Sequence, residues 1–89
     1  MKRVTVLFGA GSIGLAIVRR ISAGGHIVLA DYNEANAAAA AKTLEDAGFE
    51  CSVIKADLGS RESIQEVIRH AQQYGEIYHL VNAAGVSPS

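Results

Sequence analysis

A glycine loop near the amino terminus constrains the fold of this chain more than any other feature. Residues 9–14 (GAGSIG) follow a β-rich run at residues 4–8 and precede apolar residues at helical spacing. Glycines spaced G-x-G-x-x-G suit a strand-to-helix turn. Gly9 permits the tight turn, Gly11 lets backbone approach a pyrophosphate, and Gly14 lets the helix lie close to the strand. We therefore expect a βαβ unit whose helix amino terminus faces an anion.

The rest of the chain alternates between short apolar runs and amphipathic stretches. We predict strands at residues 4–8, 27–30, 51–56 and 77–81, and helices at residues 13–21, at residues 34–47, and between Ser60 and Gly75. Such an alternation demands parallel strands joined by right-handed crossovers. The predicted fold is a Rossmann-like three-layer α/β/α arrangement with sheet order 3-2-1-4, which is half of a doubly wound fold. We expect residues 1–89 to form one dinucleotide-binding half-domain, truncated after residue 85.

Composition excludes several other classes of protein. Of the 89 residues, 49% are hydrophobic and 19% are charged, which is typical of a packed α/β core. A net charge of −1 provides no basic surface for nucleic acid, and no stretch is long and apolar enough for a membrane span. Cys51 has no partner for a disulfide, so we expect a cytoplasmic protein. His26, His70 and His79 lack metal-ligand spacing, so we predict no metal.

Asp31 carries the prediction of the cofactor. It ends the second predicted strand, 22 residues after Gly9, where a carboxylate can accept hydrogen bonds from both ribose hydroxyls of adenosine. A 2′-phosphate would meet a like charge there, and neither the glycine loop nor Tyr32 and Asn33 supply a guanidinium to offset it. We therefore predict NAD in preference to NADP, with Tyr32 near the cofactor. The alternative is that Asp31 is a solvated turn or helix-capping residue.

Four motifs together resemble the amino-terminal half of the short-chain dehydrogenases/reductases. They are the glycine loop, Asp31, the pair Asp57-Leu58, and the turn Asn82-Ala83-Ala84-Gly85. The resemblance spans nearly the whole chain, and it implies that the Asp-Leu pair borders the adenine while the turn supports the sheet beside the cofactor. The predicted cofactor-binding residues are Gly9, Gly11, Ser12, Ile13, Gly14, Asp31, Tyr32, Asp57, Leu58, Asn82, Ala83, Ala84 and Gly85.

The sequence departs from this family in two respects. The family loop is usually Thr-Gly-x-x-x-Gly-x-Gly, whereas here Phe8 precedes a loop that is one residue shorter. The family's catalytic serine and Tyr-x-x-x-Lys lie downstream of the Asn-Ala-Ala-Gly turn and have no counterpart here. The residues four positions after the three tyrosines are Asn36, Tyr78 and Asn82. We therefore predict no catalytic residue, weak dinucleotide binding at best, and no redox turnover by this chain alone.

The resulting functional hypothesis is the NAD-binding portion of an oxidoreductase that transfers hydride between nicotinamide and an alcohol or carbonyl substrate. The substrate would bind only to a longer form. A non-enzymatic nucleotide-binding or sensor module is the alternative. A methyltransferase fits less well, because Leu7 and Phe8 stand where its acidic residue precedes the first glycine. We also expect self-association, since the fourth strand would leave an unpaired sheet edge.

Overall fold

A computed structural model describes residues 2–22 and 24–83 of the chain. The elements are β1 (Lys2–Phe8), α1 (Ser12–Ile21), β2 (His26–Asp31), α2 (Glu34–Asp46), β3 (Glu50–Lys55), α3 (Arg61–Gln72) and β4 (Gly75–Asn82). All strand pairs are parallel, and the sheet order is β3-β2-β1-β4. The predicted fold class and strand order are confirmed. None of these three helices has the length and apolar content that a membrane crossing requires.

Two apolar layers enclose the sheet. On one face, side chains of β1 and β2 such as Leu7 and Leu29 pack against Val18 of α1 and the alanine-rich side of α2. The other face packs against α3, with Val6 and Val67 both completely buried. Neighbouring strand residues point to opposite faces, and β1 and β2 are apolar on both, as expected for central strands of a parallel sheet. The core therefore fixes the carboxyl ends of these strands, where the glycine loop begins.

Caps and turns fix the ends of α2 and α3 close to the predicted bounds. The Ser60 hydroxyl accepts the Ser63 N–H at 3.2 Å and caps α3, and the Asn33 side chain accepts two backbone N–H groups at the start of α2. Gly48 follows α2 with a φ of +93°, a conformation that favours glycine. Helix α2 ends at Asp46, one residue earlier than predicted.

The bounds predicted for all four strands were wrong by one or two residues, since β1 already begins at Lys2 and β2 spans His26–Asp31. Strand β3 starts and ends one residue earlier than predicted, because Glu50 pairs with His26 at the beginning of β2. We expected Gly75 to lie between α3 and the last strand. It is instead the first residue of β4 and pairs with Lys2. Backbone pairing with a neighbouring strand, which periodicity does not reveal, decides where these polar strand ends lie.

Helix α1 contacts the sheet through a narrower face than its apolar periodicity indicates. Gly14 and Val18 are its buried residues. Ile13, Ile17 and Ile21 remain about 40% exposed, because they lie on an adjoining side of the helix. Gly14 lets the helix approach β1 closely on the side that carries Gly14 and Val18, and the three isoleucine side chains lie outside that contact.

Strand β4 forms one edge of the described sheet. It pairs with β1, and its Tyr78 and Leu80 side chains are each more than half exposed. The Tyr78 ring lies 5.0 Å from the Arg3 guanidinium on β1. An apolar edge of this kind suits pairing with another strand. Self-association through this edge stays a prediction.

A chain of hydrogen bonds joins β2, β3 and α3 near the amino ends of the strands. His26 is only 2% exposed. Its Nδ1 lies 2.6 Å from the Glu50 carboxylate and its Nε2 lies 2.8 Å from the Ser52 hydroxyl, which in turn lies 3.0 Å from His70 Nε2. The Tyr74 ring stacks on His26 at 3.8 Å. Two histidines without any shared sequence motif thus meet at one serine, at the end of the sheet opposite to the glycine loop.

We expect the free energy of unfolding to fall as the pH drops below about 6.5, partly because of His70. Burial lowers the pKa of His70, and the nearby His26 lowers it further. The unfolded chain, in which this pKa is about 6.5, therefore takes up the proton first. The stabilising contribution is complete above that pH and is lost as the pH falls through the folded-state pKa.

Chemical denaturation at several pH values between about 5 and 8 measures this dependence. The substitution His70→Asn should flatten it, whereas His79→Asn, at an exposed position of β4, is the matched control. Hydrogen bonds from Lys2 and His26 lower the pKa of Glu50 from its ordinary 4.5, so its contribution is lost only at more acidic pH. The same slope in His70→Asn and the unaltered chain would contradict the role of His70.

Candidate dinucleotide site

A cleft of about 350 Å³ lies at the carboxyl ends of the strands. Its lining combines the first two glycines of the loop, the end of β2, the start of α2 and the segments that follow β3 and β4. The lining residues are Gly9, Ala10, Gly11, Ala30, Asp31, Tyr32, Asn36, Ala56, Leu58 and Ala83. This edge of a parallel sheet, where crossovers leave in opposite directions, is where open α/β folds bind ligands.

The glycine loop presents open backbone to this cleft. Gly9 has a φ of +91°, and its N–H donates to the Ala30 carbonyl at 2.8 Å, which fixes the turn out of β1. Gly11 precedes α1 and provides no side-chain cap, and the first turn of the helix contains no acidic residue. A Cβ placed on Gly11 would meet no atom within 4 Å. The amino terminus of α1 is therefore accessible to an anionic ligand.

Gly14 differs from the other two glycines of the loop because it lies inside the contact between α1 and β1. A Cβ placed there would stand 2.8 Å from Leu7 Cδ1 and 3.0 Å from both the Gly9 carbonyl oxygen and Ala83 Cβ. These distances are shorter than ordinary van der Waals contact. Gly14 is outside the cleft lining, and its absence of a side chain lets the helix approach the strand.

Backbone N–H groups on both sides hold the Asp31 carboxylate in place. The Ala10 N–H donates to Oδ2 at 2.9 Å, and the Asn33 N–H donates to Oδ1 at 2.9 Å. Asp31 therefore links the end of β2 to the glycine loop and to the approach to α2, while Asn33 caps that helix. A carboxylate offers about four acceptor positions, so each oxygen retains capacity for a ligand hydroxyl. Its turn role and its proposed ligand role are compatible.

The two residues of the Asp57-Leu58 pair have different positions, because only Leu58 contributes to the cleft lining. Leu58 lines the cleft and is 36% exposed. Asp57 is outside the lining, and its Oδ1 accepts the Gly59 N–H at 2.8 Å while its own N–H donates to the Ser63 hydroxyl at 2.8 Å. Asp57 thus shapes the turn into α3, and the neighbouring leucine provides the apolar wall.

The segment after β4 reaches the cleft through Ala83. The Ala83 N–H donates to the Phe8 carbonyl at 2.8 Å, which holds the segment against the end of β1. Asn82 is the last residue of β4, pairs with Phe8 and lies outside the lining. The other two residues of the predicted turn, Ala84 and Gly85, lie outside the described residues.

Ser12 and Ile13 are exposed residues of the first turn of α1. Their side chains border a shallow surface hollow together with Ile17 and Arg20, separate from the cleft. Both residues lie outside the cleft lining, and their backbone N–H groups belong to the first turn of the helix, where such groups have no partner within the helix.

The structure adds two residues that the sequence analysis did not identify. Asn36, in the first turn of α2, lines the cleft opposite the glycine loop. Lys55 ends β3 and pairs with Asp31 of β2, and its ammonium lies 5.5 Å from the centre of the Tyr32 ring. The pairing of parallel strands brings Lys55 next to Asp31 although 24 positions separate them in sequence. Aligning the predicted ends of the second and third strands would have placed Asp31 opposite Asp57 instead, so the register had to come from the structure.

The described residues fit the adenosine part of a dinucleotide. The cleft volume lies near the lower end of the range of about 300 to 1,000 Å³ that is usual for ligand sites. It combines open backbone at Gly11, a positioned carboxylate at Asp31 and an apolar surface at Leu58. A parallel sheet of this order with such a cleft defines a Rossmann-like nucleotide-binding fold.

Comparisons with known proteins identify the family. The profile of the family described as short chain dehydrogenase matches residues 2–89. The chain is 34% identical over 83 residues to the short-chain dehydrogenase/reductase bsc3 of Alternaria brassicicola, covering 93% of this chain and 30% of that protein. It is 30% identical over 89 residues to an (S)-acetoin-forming diacetyl reductase of Staphylococcus epidermidis, covering 97% of this chain and 35% of that reductase.

A solved structure gives the same result. A short-chain dehydrogenase/reductase from Burkholderia phymatum in complex with NAD has a TM-score of 0.79 and 29% identity, covering 89% of this chain and 29% of its own length. The chain belongs to the short-chain dehydrogenase family. It spans about a third of the length of these relatives.

Proposed function

We propose that this chain is the NAD-binding portion of an oxidoreductase that transfers hydride between nicotinamide and an alcohol or carbonyl substrate. The positioned carboxylate of Asp31 carries this proposal. Both of its oxygens accept backbone N–H groups at 2.9 Å, and it lines the cleft in direct contact with the glycine loop through the Ala10 N–H. The family and the NAD complex of the Burkholderia phymatum relative support a nicotinamide dinucleotide as the ligand.

Each part of the cleft has a separate role in this proposal. Backbone N–H groups at the start of α1 bind the pyrophosphate, since the helix dipole favours an anion there. The Asp31 carboxylate accepts hydrogen bonds from the ribose hydroxyls, and Leu58 with Ala56 forms the apolar surface for the adenine. When bound, the nicotinamide ring gives or takes the hydride. No residue of this chain is assigned to proton exchange with the substrate, because no tyrosine here has a lysine four positions later.

We also propose that Asp31 favours NAD over NADP. A 2′-phosphate within ~4 Å of the carboxylate would meet a repulsion of roughly 1 to 4 kcal/mol per charge pair, depending on the local dielectric. The lower part of that range applies, because Asp31 is partly exposed. The expected preference is therefore about tenfold. A cytoplasmic location remains a prediction.

We expect the double substitution Asp31→Ser with Tyr32→Arg to reverse this preference. It removes the carboxylate charge and supplies a guanidinium that can bind phosphate with two parallel hydrogen bonds. The measurement is calorimetric titration of NAD and of NADP into the unaltered chain and into the variant. The ratio of the two dissociation constants should change from about tenfold in favour of NAD to a preference for NADP.

The control is Asp46→Ser, which removes an exposed carboxylate at the end of α2. It should leave the ratio unchanged. Asp31 also accepts two backbone N–H groups, so the unfolding midpoint of each variant is measured at the titration temperature to confirm that it is folded. Because binding by this chain alone is expected to be weak, each dinucleotide is titrated up to its solubility limit, and absence of any binding there would contradict the proposed function. Equal or tighter binding of NADP would contradict the role of Asp31 alone.

A further inference from the structure

Lys55 provides a positive charge beside the carboxylate that is proposed to select the cofactor. It is the last residue of β3 and is paired in register with Asp31, the last residue of β2. Neighbouring strands lie about 4.8 Å apart, and paired residues project to the same side of the sheet. The lysine side chain is therefore anchored one strand away from Asp31 and can reach the same edge of the cleft.

The ammonium of Lys55 lies beside Tyr32, a residue of the cleft lining, although Lys55 itself is not among the lining residues. It stands 5.5 Å from the centre of the Tyr32 ring, a distance at which an ammonium is attracted to an aromatic face. Tyr32 lines the cleft beside Asp31. The ion pairs among the described residues join Glu50 to Lys2 and to His26. Within that part of the chain, no carboxylate lies within ion-pair distance of the Lys55 ammonium. Its charge is thus available to a ligand.

We propose that Lys55 is a specificity-determining residue of the adenosine site, which reduces the discrimination of Asp31 against a phosphorylated ribose. This inference rests on the proposed function. A 2′-phosphate beside Asp31 would lie near one negative and one positive side chain, so the ammonium offsets part of the repulsion. A ribose with a free 2′-hydroxyl has no charge at that point and gains little from Lys55. The lysine therefore acts on the difference between the two ligands and less on binding in general.

The test uses two nucleotides that differ only in the 2′-phosphate, 5′-AMP and adenosine 2′,5′-bisphosphate. Each is titrated calorimetrically into the full chain, into Lys55→Gln and into the charge-matched control Lys42→Gln, an exposed position of α2 outside the cleft lining. We expect Lys55→Gln to weaken binding of the bisphosphate about three- to tenfold at about 0.01 M salt and to change binding of 5′-AMP less than about twofold. Because Lys55 is exposed, the effect should shrink at about 0.5 M salt. The variant Lys55→Arg keeps the positive charge and should therefore bind the bisphosphate as tightly as the unaltered chain does.

The outcomes separate this inference from the function on which it rests. Saturable binding of 5′-AMP with an unchanged ratio of the two dissociation constants in Lys55→Gln overturns the role of Lys55 and leaves the adenosine site intact. An equal change in Lys42→Gln also overturns it, because the effect would then reflect net charge alone. If the unaltered chain binds neither nucleotide, the adenosine site itself is refuted, and the role of Lys55 with it.

Discussion

Replacing Gly11 with alanine should weaken dinucleotide binding by about ten- to hundredfold while the free energy of unfolding changes by less than about 1 kcal/mol. The added Cβ meets no protein atom within 4 Å, so the folded chain accommodates it. Gly11 lies on the cleft side of the loop, however, and the methyl group would occupy the space through which a pyrophosphate approaches the N–H groups of α1. The affinity falls because the methyl group keeps the pyrophosphate from approaching the backbone N–H groups.

The matched variant is Gly14→Ala, which should lower the stability of the chain and change its affinity for the dinucleotide less. Its Cβ would lie 2.8 Å from a Leu7 methyl carbon and 3.0 Å from the Gly9 carbonyl oxygen. Overpacking of this kind costs about 1 to 3 kcal/mol, of which the better helix propensity of alanine recovers about 1. We expect a net loss of stability of up to about 2 kcal/mol and a smaller effect on the affinity of the folded fraction.

Both variants are compared by urea denaturation and by titration of NAD under conditions in which each is fully folded. The glycines belong to one motif, and both substitutions are glycine to alanine, so effects on the unfolded chain nearly cancel. Normal NAD affinity in Gly11→Ala would contradict the proposed phosphate contact. A loss of stability in Gly11→Ala as large as in Gly14→Ala would show that both glycines serve packing.

The sequence was sufficient for the order of elements because their signals are local. Glycines, caps and apolar periodicity act within a few residues, and one alternation of strands and helices permits few topologies. Asp31 could be identified for the same reason, since it stands at a fixed distance from the glycine loop and at the end of an apolar run. The exposed side of α1 could not be predicted, because Ile13 and Ile17 have the same spacing as residues that pack.

Contacts between side chains of neighbouring strands could not be predicted from local sequence patterns. Lys55 lies beside Asp31 only because β2 and β3 pair in one particular register. The hydrogen bonds from Ser52 to His26 and His70 depend on that register and on the position of α3 as well. A shift of one residue would have turned every β3 side chain to the other face. The predicted strand bounds carried an error of that size, so these contacts first become visible in the assembled sheet.

Gly25 and Gly75 are a further case, and their replacement by alanine should destabilise the chain more than any other substitution discussed above. In the sequence they stand after the ends of α1 and α3, where glycine is common. In the structure both approach the start of β1, since a Cβ on Gly25 would stand 2.4 Å from the Arg3 carbonyl oxygen and one on Gly75 would stand 2.1 Å from that of Lys2. Backbone oxygens cannot swing aside as a flexible side chain can, so the central strand would have to move away from its neighbours.

We expect each substitution, Gly25→Ala and Gly75→Ala, to lower the free energy of unfolding by about 3 kcal/mol, near the upper end of the usual cost of overpacking. For a domain of this size that corresponds to a melting temperature lower by about 10 to 20 °C. Gly59→Ala is the matched control, because the nearest atom to its Cβ is a side-chain oxygen of Asp57 at 3.2 Å. Thermal and urea unfolding measure all three variants. Melting temperatures for Gly25→Ala and Gly75→Ala within about 3 °C of the control would mean that β1 yields without cost, and that the close approach of these glycines does not determine how the central strand is held.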